Sequence, residues 1–253
     1  MPKPGRLWTR EELILAFALY CRIPFAKADK GHPEVIRLAE IIGRTPSAVN
    51  LKIGNFGSFD PRLKERGIGG LPHVSKTDRE IWDSFNQNFP ELSKQAFEIE
   101  NKMSGKKHAA PPENAGREGK ETRGMTIKRV NQGFFRDAIL ASYESQCCIT
   151  GIGIREVLVA SHIKPWAQCD SKEKLNPRNG LCLNALHDRA FDRGLMTVTA
   201  DFRVKISEKI KQQDNDAAQK WLGDFDGREI QLPEKFMPSA DFLDWHGQHV
   251  FRA

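Results

Sequence analysis

Cysteine is scarce in this chain and follows no paired pattern. The 253 residues hold five, at Cys21, Cys147, Cys148, Cys169 and Cys182. An odd number, with no apolar signal segment ahead of it, argues against a disulfide framework and points to the cytoplasm. A structural zinc knuckle needs two C-x-x-C-like pairs. Cys148 meets Gly151 where its partner should stand, and Cys182 has no near partner, so a knuckle is excluded. Cys148 and Cys182 read instead as small core hydrophobes. No apolar run approaches the ~18 residues that would span a membrane. Internal repeats and long low-complexity tracts are missing too. Neither sign of charge dominates: 39 Lys and Arg stand against 33 Asp and Glu, a net +6. That balance is compatible with a polyanionic partner without requiring one.

What is there suffices for one large domain or two modest ones with a buried core, since 39% of residues are hydrophobic and 28% charged. The N-terminal third reads as helical. Thr9 followed by Glu12 is a capping box, and Leu13, Ile14, Phe17 and Tyr20 form an apolar stripe. In "HPEVIRLAEIIGR", Pro33 suits a first turn, Val35, Leu38, Ala39 and Ile42 face inward, and Gly43 stops the helix. "TPSAVNLKIGNF" opens another, with Thr45 as N-cap and Pro46 at the first helical position. Two helices joined by a tight turn fit a helix-turn-helix, which would put Ser47, Asn50 and Lys52 on an exposed face able to meet DNA. They fit equally a small bundle in which the last helix only packs. The segment 101–124, with paired prolines, glycines and many charges, reads as a linker. The expected organisation is a helical domain over 1–102, a charged linker over 103–126, and a second domain over 127–253. That second domain opens with the amphipathic helix "NQGFFRDAILASYESQCC", with Phe134, Ile139, Leu140 and Tyr143 inward.

The stretch "LVASHIKPW" runs an apolar strand into His162. Asn179 follows 17 residues later in "NPRNGLCL", and His187 and Asp188 lie on the helix after the next strand. Asp192 stands four residues beyond Asp188 and shares its helical face. Each has a plain structural alternative. A strand-end histidine commonly serves as a hydrogen-bonding residue, and Asn179-Gly180 is a turn signal. Asp188 and Asp192 have arginine neighbours for surface ion pairs, and His187 suits a cap or the core. Taken together, those alternatives leave the order and spacing unexplained. Lys164 and Arg178 lie in the loop beside His162, where they suit phosphate contact or plain solvation. Trp166 reads as core, and His246 and His249 as structural.

With "CCITGI", "VASHIKPW", "LNPRNGLCLNALHDRAFDRGLM" and "FLDWHGQHVF", residues 128–253 resemble the HNH endonuclease family, in its bacterial restriction-type branch. The segment "GRTPSAVNLKIGNFGSFDP" is similar to the one preceding such domains. The resemblance implies an α+β protein: a helical N-terminal domain, helix-turn-helix-like in one reading, and a C-terminal ββα-metal nuclease domain. It implies His162 as general base, Asn179 as the residue holding that imidazole or its loop, and Asp188 as metal ligand. Asp192 and His187 are further ligand candidates, and His187 is also a candidate for catalysis. Ser161 stands where relatives often carry an acidic or histidine ligand, and the helix offers Asp where many use His. Oxygen-rich ligation favours Mg²⁺ or Mn²⁺ over Zn²⁺. The implied partner is double-stranded DNA and no membrane, with a homodimer where both strands are cut. Two other functions stay open: a catalytically inactive HNH-like DNA-binding regulator, and a toxin nuclease without sequence preference.

Overall fold

Nine apolar residues in a row, Leu13 to Cys21, have no polar side to show to water, so the helix that carries them must lie inside. In the computed structural model, which describes residues 6–68, 74–105 and 123–253, that helix is α1 (Arg10–Arg22). The chain divides into two compact units, Met1–Ser142 and Tyr143–Ala253.

In the first unit α1 is surrounded by α2 (Pro33–Ile42), α3 (Pro46–Gly57), α5 (Lys76–Phe85), α6 (Phe89–Ser104) and α7 (Arg123–Ser142), with the short α4 (Pro61–Glu65) between α3 and α5. The local signals act as expected. Thr9 and Glu12 form the capping box. Gly43 ends α2 in the left-handed region, at φ 64°, and Thr45 caps α3. The core is aromatic: Phe17 lies 5.0 Å from Phe56 and 5.4 Å from Trp82 between ring centres. The Tyr20 hydroxyl, buried with them, donates to Asp60 at 2.9 Å. Each such ring contributes about 1.5–3 kcal/mol by leaving water, so this cluster outweighs any single surface ion pair here.

Two expectations change in this unit. Lys52 is not on an exposed face. Its side chain is buried, and Nζ meets both Asp78 carboxylate oxygens at 2.8 Å. Asn55 donates to the same carboxylate at 2.9 Å, and Lys52 also lies over the Trp8 ring. The cause is Asp78, itself fully buried on α5, which demands a cation that α3 supplies. Ser47 is exposed and Asn50 half-buried. The amphipathic helix expected to open the second domain is α7, and it packs on α1 and α6 in the first unit. Its pattern marks an apolar face over Phe134, Phe135, Ala138 and Ile139 but does not say which domain that face meets. Of the expected linker, 106–122 lies outside the described residues; α6 extends through Ser104 and α7 begins at Arg123.

The second unit opens with β1 (Leu158–His162), pairs it antiparallel with β2 (Gly180–Asn184), and runs straight into α8 (Ala185–Asp192). In register, Leu158 faces Asn184 and His162 faces Gly180. Residues 155–157, just ahead of β1, form a turn of 3-10 helix. A second antiparallel pair follows, β3 (Met196–Val198) with β4 (Val204–Ile206), then α9 (Glu208–Lys211), α10 (Asp216–Trp221) and α11 (Ala240–His249). α8 packs on both strands of the hairpin and on β3, and α11 packs on β3. The unit is thus α+β, a hairpin with a helix laid against it. Among the described residues no helix is long and apolar enough to cross a membrane.

Candidate active site

The register puts His162 at the last pair of the hairpin, where a long connection, residues 163–179, begins. Its Nε2 lies 2.9 Å from the Lys174 carbonyl. A carbonyl only accepts, so Nε2 carries the proton and the basic nitrogen of the neutral ring is Nδ1. Burial lowers the His162 pKa below its usual value; the Lys174 hydrogen bond and the charge of Asp192 act the other way. The ring is therefore neutral at pH 7. The Trp166 indole stands edge-on to it, 5.5 Å between centres.

Asn179 is wholly buried and clasps the connection. Its Oδ1 accepts from the Lys164 amide at 2.8 Å. Its Nδ2 lies 3.2 Å from the Lys164 carbonyl, 3.2 Å from Cys169 Sγ and 3.4 Å from the Glu173 carbonyl. Its backbone carbonyl accepts from the Ile163 amide at 3.1 Å. These bonds fix the backbone that leaves His162, at Ile163 and Lys164, to the far end of the connection.

Asp188 and Asp192 share one face of α8, the first half-buried and the second exposed. Burial raises the Asp188 pKa, the Ser161 hydroxyl lowers it, and the charge of Asp192 raises it further. Ser161 Oγ is buried beside this carboxyl, with no partner at full hydrogen-bond geometry. Strand end and helix face thus bring His162, Ser161, Asp188 and Asp192 together. Two mutually repelling carboxylates beside the Ser161 hydroxyl form a hard-oxygen set that a divalent cation would relieve. Among the described residues no group of three or more His, Cys, Asp or Glu side chains is placed to hold a metal alone.

His187 is turned elsewhere. It is buried; Asn184 Nδ2 donates to its Nδ1 at 3.0 Å, and its Nε2 donates to the Trp221 carbonyl at 2.9 Å. Phe225 stands edge-on to the ring, 5.0 Å away. The Cys147 thiol lies in the same network; burial raises its pKa, but His187 and Thr150 outweigh that and bring it down to about 7. With both nitrogens committed, His187 ties α8 to α10 and offers no atom to the site. The organiser is Asn184, whose Oδ1 caps α8 through the His187 amide at 2.9 Å. An Asn directly before a helix is an N-cap signal, and it was the clue to this network.

Lys164 is paired with Glu173, at 2.9 and 2.7 Å to the two carboxylate oxygens. Arg178 lies over the Phe236 ring. His246 is structural, as expected: Thr197 Oγ1 is 2.8 Å from its Nδ1, and the ring stacks on Phe191. The Trp245 ring stacks on His249.

The hairpin-and-helix unit thus sets a neutral strand-end imidazole, able to accept a proton, beside helical carboxylates able to meet a cation. Residues 147–199 match the family model described as HNH endonuclease. No curated protein matches the chain. HNH nucleases use divalent metals, and the domain implies a nucleic-acid substrate.

Proposed function

We propose that this protein is a DNA endonuclease of restriction or defence type, dependent on Mg²⁺ or Mn²⁺ more than Zn²⁺. The observation that carries the reading is the His162–Lys174 hydrogen bond, which makes Nδ1 the basic nitrogen of a neutral ring at the strand end. His162 accepts a proton from the water that attacks the phosphorus, and the 3′ oxygen leaves. The charge of Asp192 stabilises the imidazolium that forms. Asn179 holds the backbone that leaves the base, at Ile163 and Lys164. Asp188 and Asp192, with Ser161 through a water, would hold the divalent cation, which supplies charge neutralisation at the phosphate and the leaving oxygen. Arg178 is the loop residue suited to phosphate; Lys164 is committed to Glu173. Ser47 and Asn50 are the α3 residues suited to DNA in the first unit. A homodimer would place two such sites on opposite strands.

One observation favours the alternative, an inactive HNH-like DNA-binding regulator: the buried serine at Ser161 leaves the metal fewer protein ligands. Incubating supercoiled plasmid and a matched RNA with the full chain in Mg²⁺, Mn²⁺, Zn²⁺ or chelator decides between them. Metal-dependent discrete DNA fragments are expected, on modified or unmodified plasmid. A smear would mark an unspecific toxin nuclease. Tight binding without cutting under any metal, on either plasmid, would establish the regulator.

A further inference from the structure

A 17-residue connection without strands of its own is ordinarily a weak platform for a catalytic base. Here residues 163–179 supply the Lys174 carbonyl that sets the His162 tautomer, so something must hold that carbonyl still. Asn179 grips the two ends of the loop. The middle is gripped by Glu173, a residue to which the sequence assigned no role.

The Glu173 carboxylate is where three parts of the loop converge. It takes the Lys164 ammonium on both oxygens, at 2.9 and 2.7 Å, and the Asp170 amide at 2.8 Å. Asp170 Oδ1 answers by accepting from the Lys172 and Glu173 amides, at 2.7 and 2.8 Å. Glu173 begins the one-turn 3-10 helix Glu173–Leu175, whose Leu175 is buried and whose middle residue is Lys174. Lys164 is two residues from His162, so the ion pair links the chain leaving the base to the chain that orients it. Lys174 also lays its ammonium over the Trp166 ring, the ring that stands against His162.

We infer that Glu173 is a positioning residue for the base: through its ion pair with Lys164 and its bond to the Asp170 amide, it holds the Lys174 carbonyl on His162 Nε2. The inference rests on the nuclease reading for its kinetic consequence but not for its structural one. Without the carboxylate the turn loosens, the Nε2 bond is lost for part of the time, and the ring samples both tautomers. Half-buried ion pairs are worth little in stability, so the fold survives while the geometry degrades. A misplacement on the order of 1 Å costs about 10²-fold in rate.

The test compares the full-length wild type with Glu173→Ala and Glu173→Gln, the latter keeping an acceptor for the Asp170 amide. Plasmid cleavage gives kcat and KM, and nitrogen-15 NMR of the histidine rings gives the His162 tautomer. The expected result is a kcat about 10- to 100-fold lower in Glu173→Ala, an unchanged KM, a smaller loss in Glu173→Gln, and mixed tautomers where the wild type shows only Nε2–H. An unchanged kcat overturns the inference. So does a kcat loss with the single Nε2–H tautomer intact, which would mark Glu173 as merely structural, or a loss wholly in KM. If the wild type cuts nothing, the nuclease reading fails by itself, and the tautomer comparison still decides whether Glu173 positions the ring.

Discussion

Acidification should destabilise the second unit through one buried side chain, His246. Its neutral ring is fully satisfied: Nδ1 accepts from Thr197 at 2.8 Å, Nε2 donates to the Phe191 carbonyl at 3.2 Å, and the Phe191 ring stacks on it at 3.6 Å. Burial pushes its pKa from 6.5 down to about 4, against the Phe191 hydrogen bond, which raises it. Unfolded, the ring titrates near its usual value. Above pH 6.5 both states are neutral and the contribution to stability is fully present. Below 6.5 the unfolded chain takes up a proton that the folded ring refuses, and stability falls until about pH 4. The total is about 3 kcal/mol, of which about 2.5 kcal/mol is lost between pH 7.5 and 4.5. Urea unfolding of wild type and His246→Gln at those two pH values measures it. Hydrogen exchange in the β3 and α11 peptides separates this unit from the first. The variant should start less stable and lose about 2.5 kcal/mol less on acidification. Equal losses in the two proteins would refute the reasoning.

For His162 the same logic applies to rate: because burial holds its pKa below 6.5, cleavage should rise with pH through one ionisation under that value and then level off, and a limb above pH 7 would contradict the burial argument. Asp78→Ala leaves the Lys52 ammonium unpaired in the core and should cost about 3–5 kcal/mol in urea unfolding of the first unit, whereas Asp78→Leu with Lys52→Met should recover most of it.

The parts legible in sequence were those that chemistry specifies locally. Thr9 with Glu12, Pro33 with Gly43, and Thr45 with Pro46 set helix ends that the structure keeps, because a cap needs only residues within one turn. The β1–β2–α8 order was legible from the apolar strand that runs into His162, the Asn179-Gly180 turn signal and the helix carrying His187 and Asp188, and from the resemblance those stretches carry. Contacts between distant residues were not legible. Lys52 is inside because of Asp78, 26 residues away. The α7 stripe could not announce that its partners are α1 and α6. His187 and Asp188 are neighbours in sequence but point about 100° apart on a helix, so one joined the buried Asn184 network and the other the site. Glu173 escaped notice because its role exists only once the loop has folded back on Lys164.

Cleavage of plasmid DNA by wild type and by His162→Ala, each with Mg²⁺, with Mn²⁺ and with EDTA, tests the central claim most directly, with DNA binding measured in parallel. Metal-dependent cutting that disappears in the variant while binding persists is the predicted result. Undiminished cutting by His162→Ala would contradict the account.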